Sequence, residues 1–207
     1  MNIFFAWQGG DGGDFVMQMI YWLMGGEKPN VNKDGKQDIT RSVKNFKVNS
    51  HRFIKCHVPW QDQYFLNTKD KKLILLDNID PIIWAKKRVI KLASEKHLQV
   101  TGRRSLDKKI LKALNEKNIR TAYYWSASYW INCHKHYRKD IQHTLDKTEH
   151  IVIENNMVTL DEVTDTVQSV MRCLDLDDTL STDVQTEIKK YVRKQQYIID
   201  TRWDFVL

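Results

Sequence analysis

The chain opens with a short apolar run, a glycine-rich loop and a helix that is apolar on nearly every side. The apolar run is Ile3 to Ala6, and four glycines fall within residues 9–13. The helix that follows, near 14–24, has Asp14 as its predicted N-cap and Gly25-Gly26 as its predicted stop. A helix that is apolar all round has to be buried, and one of about ten residues is too short to span a bilayer. These features predict a strand, a loop and a buried helix at the start of the fold.

Short apolar runs continue to alternate with helical periods along the chain. They predict strands near 2–7, 52–56, 73–77 and 149–154, and helices near 14–24, 81–96, 121–138 and 160–174. Such alternation indicates βαβ units, so we predict a three-layer α/β fold with a mainly parallel sheet flanked by helices. Asp80 is the predicted cap of the second helix. A length of 207 residues without repeats predicts a single domain over 1–207, with its most mobile part in the polar interval 26–50.

A lysine and a histidine stand one residue apart in the sequence Lys55-Cys56-His57-Val58-Pro59. If the preceding run is a strand, Lys55 and His57 point to the same face, and Pro59 ends the ladder. Open α/β sheets bind their ligands at that carboxyl edge. A neutral imidazole there can deprotonate a hydroxyl, while an ammonium stabilises negative charge on a leaving oxygen. A surface lysine beside a hydrogen-bonded histidine is the alternative for so short a motif.

The glycine-rich loop is a second candidate site. Glycines before a helix N-terminus let backbone N–H groups approach an anion closely, and the helix dipole adds its field. The loop contains no Gly-Lys-Ser/Thr, however, and its two acids, Asp11 and Asp14, oppose an anion. An ordinary turn is therefore the alternative for this loop.

Three segments in this order resemble the sulfotransferase family, whose members use 3′-phosphoadenosine 5′-phosphosulfate (PAPS). The first strand, loop and helix resemble its phosphosulfate-binding segment, and residues 55–59 resemble its Lys-Thr-His-Leu-Pro-like motif. Residues 153–157 and 173–176 resemble a later strand end and helix end of the family, so the resemblance covers most of 1–180. It implies a P-loop NTPase-like sheet, PAPS as co-substrate, a hydroxyl of a small molecule or carbohydrate as acceptor, and no metal.

The resemblance also implies roles for individual residues. His57 would be the general base, and Lys55 would stabilise charge on the departing phosphate oxygen. The candidate cofactor-binding residues are Gln8, Gly9, Gly10, Gly12, Gly13, Arg88, Arg193 and Lys194. Arg88 and its neighbours on the second helix would partly replace a missing arginine, and Arg193-Lys194 resembles a basic loop of some members.

The chain departs from the family where the cofactor is held. The family loop normally carries a lysine with serine or threonine, and an arginine and a serine hold the 3′-phosphate; neither set is in place here. The alternative function is therefore a catalytically degenerate, sulfotransferase-like protein that binds a nucleotide or nucleic acid. A nucleotide kinase or NTPase of related topology is disfavoured because the Walker lysine is missing.

The charge of the chain favours anionic partners. The net charge is +7 and the isoelectric point is near 9.2, as suits a nucleotide cofactor, an acidic acceptor or nucleic acid. Basic residues at helical spacing in 108–112 and 189–194 are most often solvated faces. Nucleic-acid binding requires exposed aromatics beside basic residues, and the aromatic stretch 123–130 is more typical of a core. We therefore expect a small acceptor rather than nucleic acid; the oligomeric state is not specified.

Three cysteines, Cys56, Cys133 and Cys173, are scattered without the spacing of a metal site. Such free thiols favour a reducing compartment. The sequence has no recognisable signal peptide, so we expect a cytoplasmic location and no membrane partner.

A helical stretch near the middle of the chain offers one possible metal cluster. His136, Asp140 and His143 are spaced so that they can share a helix face as metal ligands. Polar helix surfaces produce this spacing by chance, and the resembling family needs no metal. We therefore predict no metal site.

Overall fold

The structure is a computed structural model, and it describes residues 1–7, 12–26, 28, 45–48, 50–56, 58–77, 80–94, 105–154 and 156–196. The chain divides into two compact units. The first unit is Met1–Ile79 with Arg138–Val192, and the second unit is Asp80–Tyr137 with Arg193–Leu207. The sequence-based prediction of one domain over 1–207 stays a prediction.

Strands and helices alternate along the described residues. The strands are β1 (Asn2–Trp7), β2 (Asn45–Val48), β3 (His51–Lys55), β4 (Lys71–Asp77) and β5 (Glu149–Glu154). The helices are α1 (Gly13–Leu23), α2 (Gln63–Asn67), α3 (Pro81–Ser94), α4 (Ser105–Asn115), α5 (Ile119–Leu145), α6 (Leu160–Cys173) and α7 (Thr182–Gln196). A 3₁₀ turn, Pro59–Gln61, follows β3. The four predicted strands and the four predicted helices are therefore all present.

The sheet has the strand order β2-β3-β1-β4-β5. The central strand β1 pairs in parallel with β3 and β4, and β5 pairs in parallel with β4. Only β2 is antiparallel in the described sheet. The predicted α/β class with a mainly parallel sheet is confirmed, and seven helices in the described residues accompany it, an arrangement compatible with three layers.

The antiparallel strand β2 was not predicted, because it lies in the polar interval that we expected to be mobile. Phe46 stands opposite Phe53 of β3, and the two rings stack with centroids 4.4 Å apart. One buried aromatic residue thus attaches a polar segment to the sheet. Residues 29–44 of the same interval lie outside the described residues.

Side chains of β1 alternate between two buried faces, as a central strand requires. Ile3, Phe5 and Trp7 join the main apolar core with residues of α1, α6 and α7. On the other face the Phe4 ring meets Phe65 of α2 edge-on, with centroids 4.8 Å apart. The predicted burial of α1 is confirmed, since this helix contributes most of its residues to the core.

The two ends of α1 are set by glycines. At its C-terminus the Gly26 amide donates to the Tyr21 carbonyl and the Gly25 amide to the Trp22 carbonyl, each at 2.9 Å, with Gly25 at φ +89°. This is a Schellman stop, as predicted. At the N-terminus Gly12, not Asp14, occupies the cap position. The Asp14 prediction was wrong because that carboxylate binds Lys55 instead.

The second unit is built on α3, α4 and the first part of α5. Asp80 caps α3 as predicted, because its carboxylate accepts the Ile82 amide at 2.7 Å and the Ile83 amide at 3.4 Å. A small apolar core joins the three helices through Val89, Leu92, Ile110, Leu111, Ala113 and Ala122.

Candidate functional site

The strand order places a topological switch point between β1 and β4. The chain after β1 goes to β3 on one side, whereas the chain after β4 goes to β5 on the other. In open α/β sheets a ligand binds beyond the carboxyl ends of two such strands. The start of α1 and the ends of β3, β4 and β5 lie at this edge of the first unit, which we call the carboxyl edge.

The cap residue of α1 is Gly12, and no side chain among the described residues caps the helix there. Gly12 adopts φ +77°, and its carbonyl accepts the amides of Phe15 at 2.9 Å and Val16 at 3.2 Å. An uncapped first turn combines orphan N–H groups with the positive end of the helix dipole, and this favours an anion. Gly12 and Gly13 are thus at the predicted position for phosphate binding. The other loop candidates, Gln8, Gly9 and Gly10, lie outside the described residues.

At Gly12 and Gly13, the two loop glycines that the structure describes, close packing also excludes a side chain. A Cβ at Gly12 would lie 2.6 Å from the Tyr191 hydroxyl oxygen and 3.1 Å from Met157 Cε. A Cβ at Gly13 would overlap the indole of Trp7. The backbone therefore lies close against side chains from α7 and from the segment after β5.

Lys55 connects the end of β3 to the start of α1. Its ammonium forms an ion pair with the Asp14 carboxylate in the first turn of α1, although the two residues are 41 positions apart in sequence. The same ammonium lies 4.9 Å from the centroid of the Trp7 ring. The lysine of the Lys-x-His-x-Pro motif therefore meets the first turn of α1. His57 lies outside the described residues.

A second charged group lies at the ends of β4 and β5. Asp77 and Glu154 stand opposite each other in the parallel pairing, and Arg138 of α5 binds both carboxylates, Glu154 at 2.8 Å. Asp77 is only 4% exposed. Burial raises the pKa of Asp77, and the attraction of Arg138 only partly opposes this effect. The edge thus holds a buried carboxyl group that takes up a proton more readily than an ordinary aspartate.

Sequence reasoning did not find Arg138. It noted only that the family's arginine and serine are missing after β4. The signal for Arg138 is weak, because the residue lies far from Asp77 in sequence and approaches it only when α5 returns to the sheet. Two acids at the ends of neighbouring parallel strands were the available hint.

Cys56 follows Lys55 but is not equipped as a nucleophile. It is buried, and its Sγ lies 3.5 Å from the Asp62 carboxylate. Burial, with a contribution from the Asp62 charge, raises the pKa of the thiol to about 12. Because the thiolate is the reactive form, this cysteine is chemically inert at neutral pH.

The remaining predicted cofactor residues belong to other parts of the chain. In the second unit Arg88 donates to both oxygens of Asp107, at 2.5 and 2.7 Å, and so joins α3 to α4. Arg193 is exposed on α7 and is also assigned to the second unit. Lys194 follows on α7, and its side chain lies outside the described residues. Gly12, Gly13 and Lys55 are therefore the predicted site residues that the structure brings together.

The described part of the chain contains neither a cluster of metal ligands nor a membrane-spanning helix. No group of three or more His, Cys, Asp or Glu residues there is arranged to hold a metal ion. No helix there is long and apolar enough to cross a membrane.

No known protein family matches this chain, and no curated protein matches it. The function therefore rests on the geometry of the carboxyl edge and on the motif resemblance.

Proposed function

We propose that this protein transfers a sulfuryl group from PAPS to a hydroxyl of a small molecule or carbohydrate, on a P-loop NTPase-like sheet. One observation carries the proposal: Lys55 meets the first turn of α1 at the carboxyl edge. The motif resemblance requires this meeting, because the lysine and the loop serve the same phosphosulfate. The three free cysteines support a cytoplasmic setting.

In the proposed reaction the first-turn amides at Gly12 to Asp14 hold the 5′-phosphate. His57 removes the proton of the acceptor hydroxyl, whose oxygen attacks sulfur in line. The new oxygen–sulfur bond forms while the bond between sulfur and the bridging phosphate oxygen breaks, which gives a sulfate ester and adenosine 3′,5′-bisphosphate. Lys55 exchanges Asp14 for the departing phosphate oxygen and stabilises its charge. Catalysis rests on positioning and electrostatics, as in phosphoryl transfer.

Ligand-induced thermal stabilisation tests the binding part of this proposal. Adenosine 3′,5′-bisphosphate at 100 times its Kd adds about 2.7 kcal/mol, which raises the Tm of a chain of this size by roughly 5–11 °C. We expect ATP to stabilise the chain less. If the bisphosphate gives no shift at millimolar concentration, the proposed cofactor site does not exist.

Variants of the ion pair connect binding to Lys55. Lys55→Met should remove the bisphosphate shift, and Lys55→Arg should keep part of it. Asp14→Asn should strengthen binding, because the ligand no longer competes with a carboxylate for the ammonium. Lys69→Met, an exposed lysine elsewhere in the first unit, is the matched control. Bisphosphate binding by Lys55→Met as tight as that of the wild type would disprove the assigned role.

Turnover is measured with sulfur-labelled PAPS and a panel of hydroxyl acceptors. His57→Ala should lower turnover at least about 100-fold, the low end for the loss of a general base. Binding of the bisphosphate without any transfer would instead support a sulfotransferase-like binding protein. That second candidate is favoured by the ion pairs that Lys55 and Arg88 already make, because each uses a cation that the cofactor would need.

A further inference from the structure

The positive charge of the chain is concentrated in the second unit. Residues 80–137 contain 13 Lys and Arg but only four Asp and Glu, a net charge of +9, whereas the whole chain carries +7. The rest of the sequence is therefore slightly acidic. A charge excess confined to one compact unit is the electrostatic footprint of a polyanion-binding surface.

Exposed aromatic and basic side chains share one face of α5. Arg120, Tyr124, Ile131 and Lys135 recur at helical spacing on this face, and all four are exposed. The Tyr124 ring is 63% exposed and Ile131 is 50% exposed. Tyr124 therefore combines an exposed ring with a cation one helical turn away, Arg120.

Neighbouring side chains extend this face onto α4. The Tyr124 ring meets Trp125 edge-on with centroids 5.8 Å apart, and the Lys109 ammonium lies 4.1 Å from the centroid of Trp125. Lys108 and Lys112 are exposed on the same helix as Lys109. We call Lys109, Lys112, Arg120, Tyr124, Trp125, Ile131 and Lys135 the basic aromatic surface.

We propose that the basic aromatic surface binds single-stranded nucleic acid. An unpaired base stacks on Tyr124, and the phosphates on either side meet Arg120 and the lysines of α4. Single strands expose the faces of their bases, whereas a duplex hides them within the stack, so a protruding tyrosine selects the single strand. The sequence disfavoured nucleic acid because aromatic helices usually pack in a core, and the exposure of Tyr124 removes that reason.

Fluorescence anisotropy with a labelled 20-nucleotide oligo(dT) tests the proposal. Tyr124→Ala should weaken binding by about 5- to 150-fold, the range for the loss of one stacked base, and Tyr124→Phe should stay within about twofold of the wild type. Arg120→Gln should lower the slope of log K against log salt by about 0.7, the value for one phosphate of a single strand. Lys69→Gln, an exposed lysine of the first unit, should change neither quantity.

Two outcomes would overturn the inference. If Tyr124→Ala binds oligo(dT) like the wild type, no base stacks on this residue. If a duplex of the same length or heparin binds as tightly as oligo(dT), the surface recognises polyanions in general. Circular dichroism confirms folding of each variant, and the exposure of Tyr124 leaves little packing to lose. Tyr124 takes no part in the carboxyl edge, so this test is independent of the sulfuryl-transfer assay.

Discussion

Replacing Gly12 by alanine should destabilise the protein far more than its half-buried position at the start of a helix suggests. Two separate costs act at this position. The backbone has φ +77°, a conformation that costs an L-residue about 1–2 kcal/mol. The new Cβ would also lie 2.6 Å from the Tyr191 hydroxyl oxygen, and forcing packed groups apart costs about 1–3 kcal/mol more. We therefore expect Gly12→Ala to lower the free energy of unfolding by about 2–5 kcal/mol.

Gly25 provides a matched control for the backbone part of this cost. Its φ is +89°, but a Cβ there meets nothing within 4 Å. Gly25→Ala should therefore cost only about 1–2 kcal/mol. The difference between the two variants measures the clash at Gly12.

A double-mutant cycle in urea denaturation identifies the clashing partner. Tyr191→Phe removes the hydroxyl oxygen that the new Cβ would meet, so Gly12→Ala should cost less in that background than in the wild type. Equal costs in both backgrounds, or equal costs of Gly12→Ala and Gly25→Ala, would refute the packing explanation. Either result would leave the positive φ and ligand binding as the remaining reasons for glycine at position 12. A larger side chain at this position, as in Gly12→Val, should also destabilise the fold, so loss of ligand binding by that variant would not show that the loop binds the ligand.

Two further predictions concern titrating groups. Because burial raises the pKa of Asp77, the native chain holds this proton more tightly than the unfolded chain, so its contribution to stability falls as pH rises from about 4 towards 7. The Tm of Asp77→Asn minus the Tm of the wild type should therefore increase as the pH rises over this range, and a decrease of this difference with pH would contradict the raised pKa of Asp77. Because burial raises the pKa of Cys56 from its ordinary value of 9.0 to about 12, its thiolate at pH 8 is about 1000-fold scarcer than that of a free thiol. Mass spectrometry after iodoacetamide treatment should find Cys56 unmodified in the native chain and labelled in urea, whereas rapid native labelling would show that the thiol is accessible and ionised.

The parallel strands of the sheet were predictable because the sequence in or next to each strand contains a local hydrophobic pattern. β1 and β4 are continuous apolar runs, and β5 is followed by a helix with a clear apolar period. β2 has no such pattern; it pairs with β3 along four residues, and the stacked rings of Phe46 and Phe53 are the aromatic contact within that pairing. Long-range pairing of that kind leaves no local trace in a polar segment.

The site was predictable to the extent that parallel strands end at the same edge. From the sequence alone, this rule predicts that Lys55 and the glycine loop lie at one edge of the sheet. It did not reveal that Asp14 would leave the cap position for Lys55, since local capping rules ignore a partner 41 residues away. The exposure of Tyr124 could not be predicted either, because it depends on which face of α5 packs against the rest of the unit. The buried ridge of α5 is formed by Ala122, Ser126 and Trp130, and this turns Tyr124 outwards.

The end strand β5 has a consequence for how copies of the chain meet. In the described sheet it lies last, with an apolar centre between Glu149 and Glu154. If two such strands paired antiparallel about their middle, Glu149 of each molecule would oppose Glu154 of the other, and like charges directly opposite destabilise a strand pair. Each glutamate also has a cation of its own chain, Lys72 at 2.9 Å and Arg138 at 2.8 Å, and both ion pairs would lose water. The charged ends of β5 therefore act as gatekeepers against edge-to-edge aggregation.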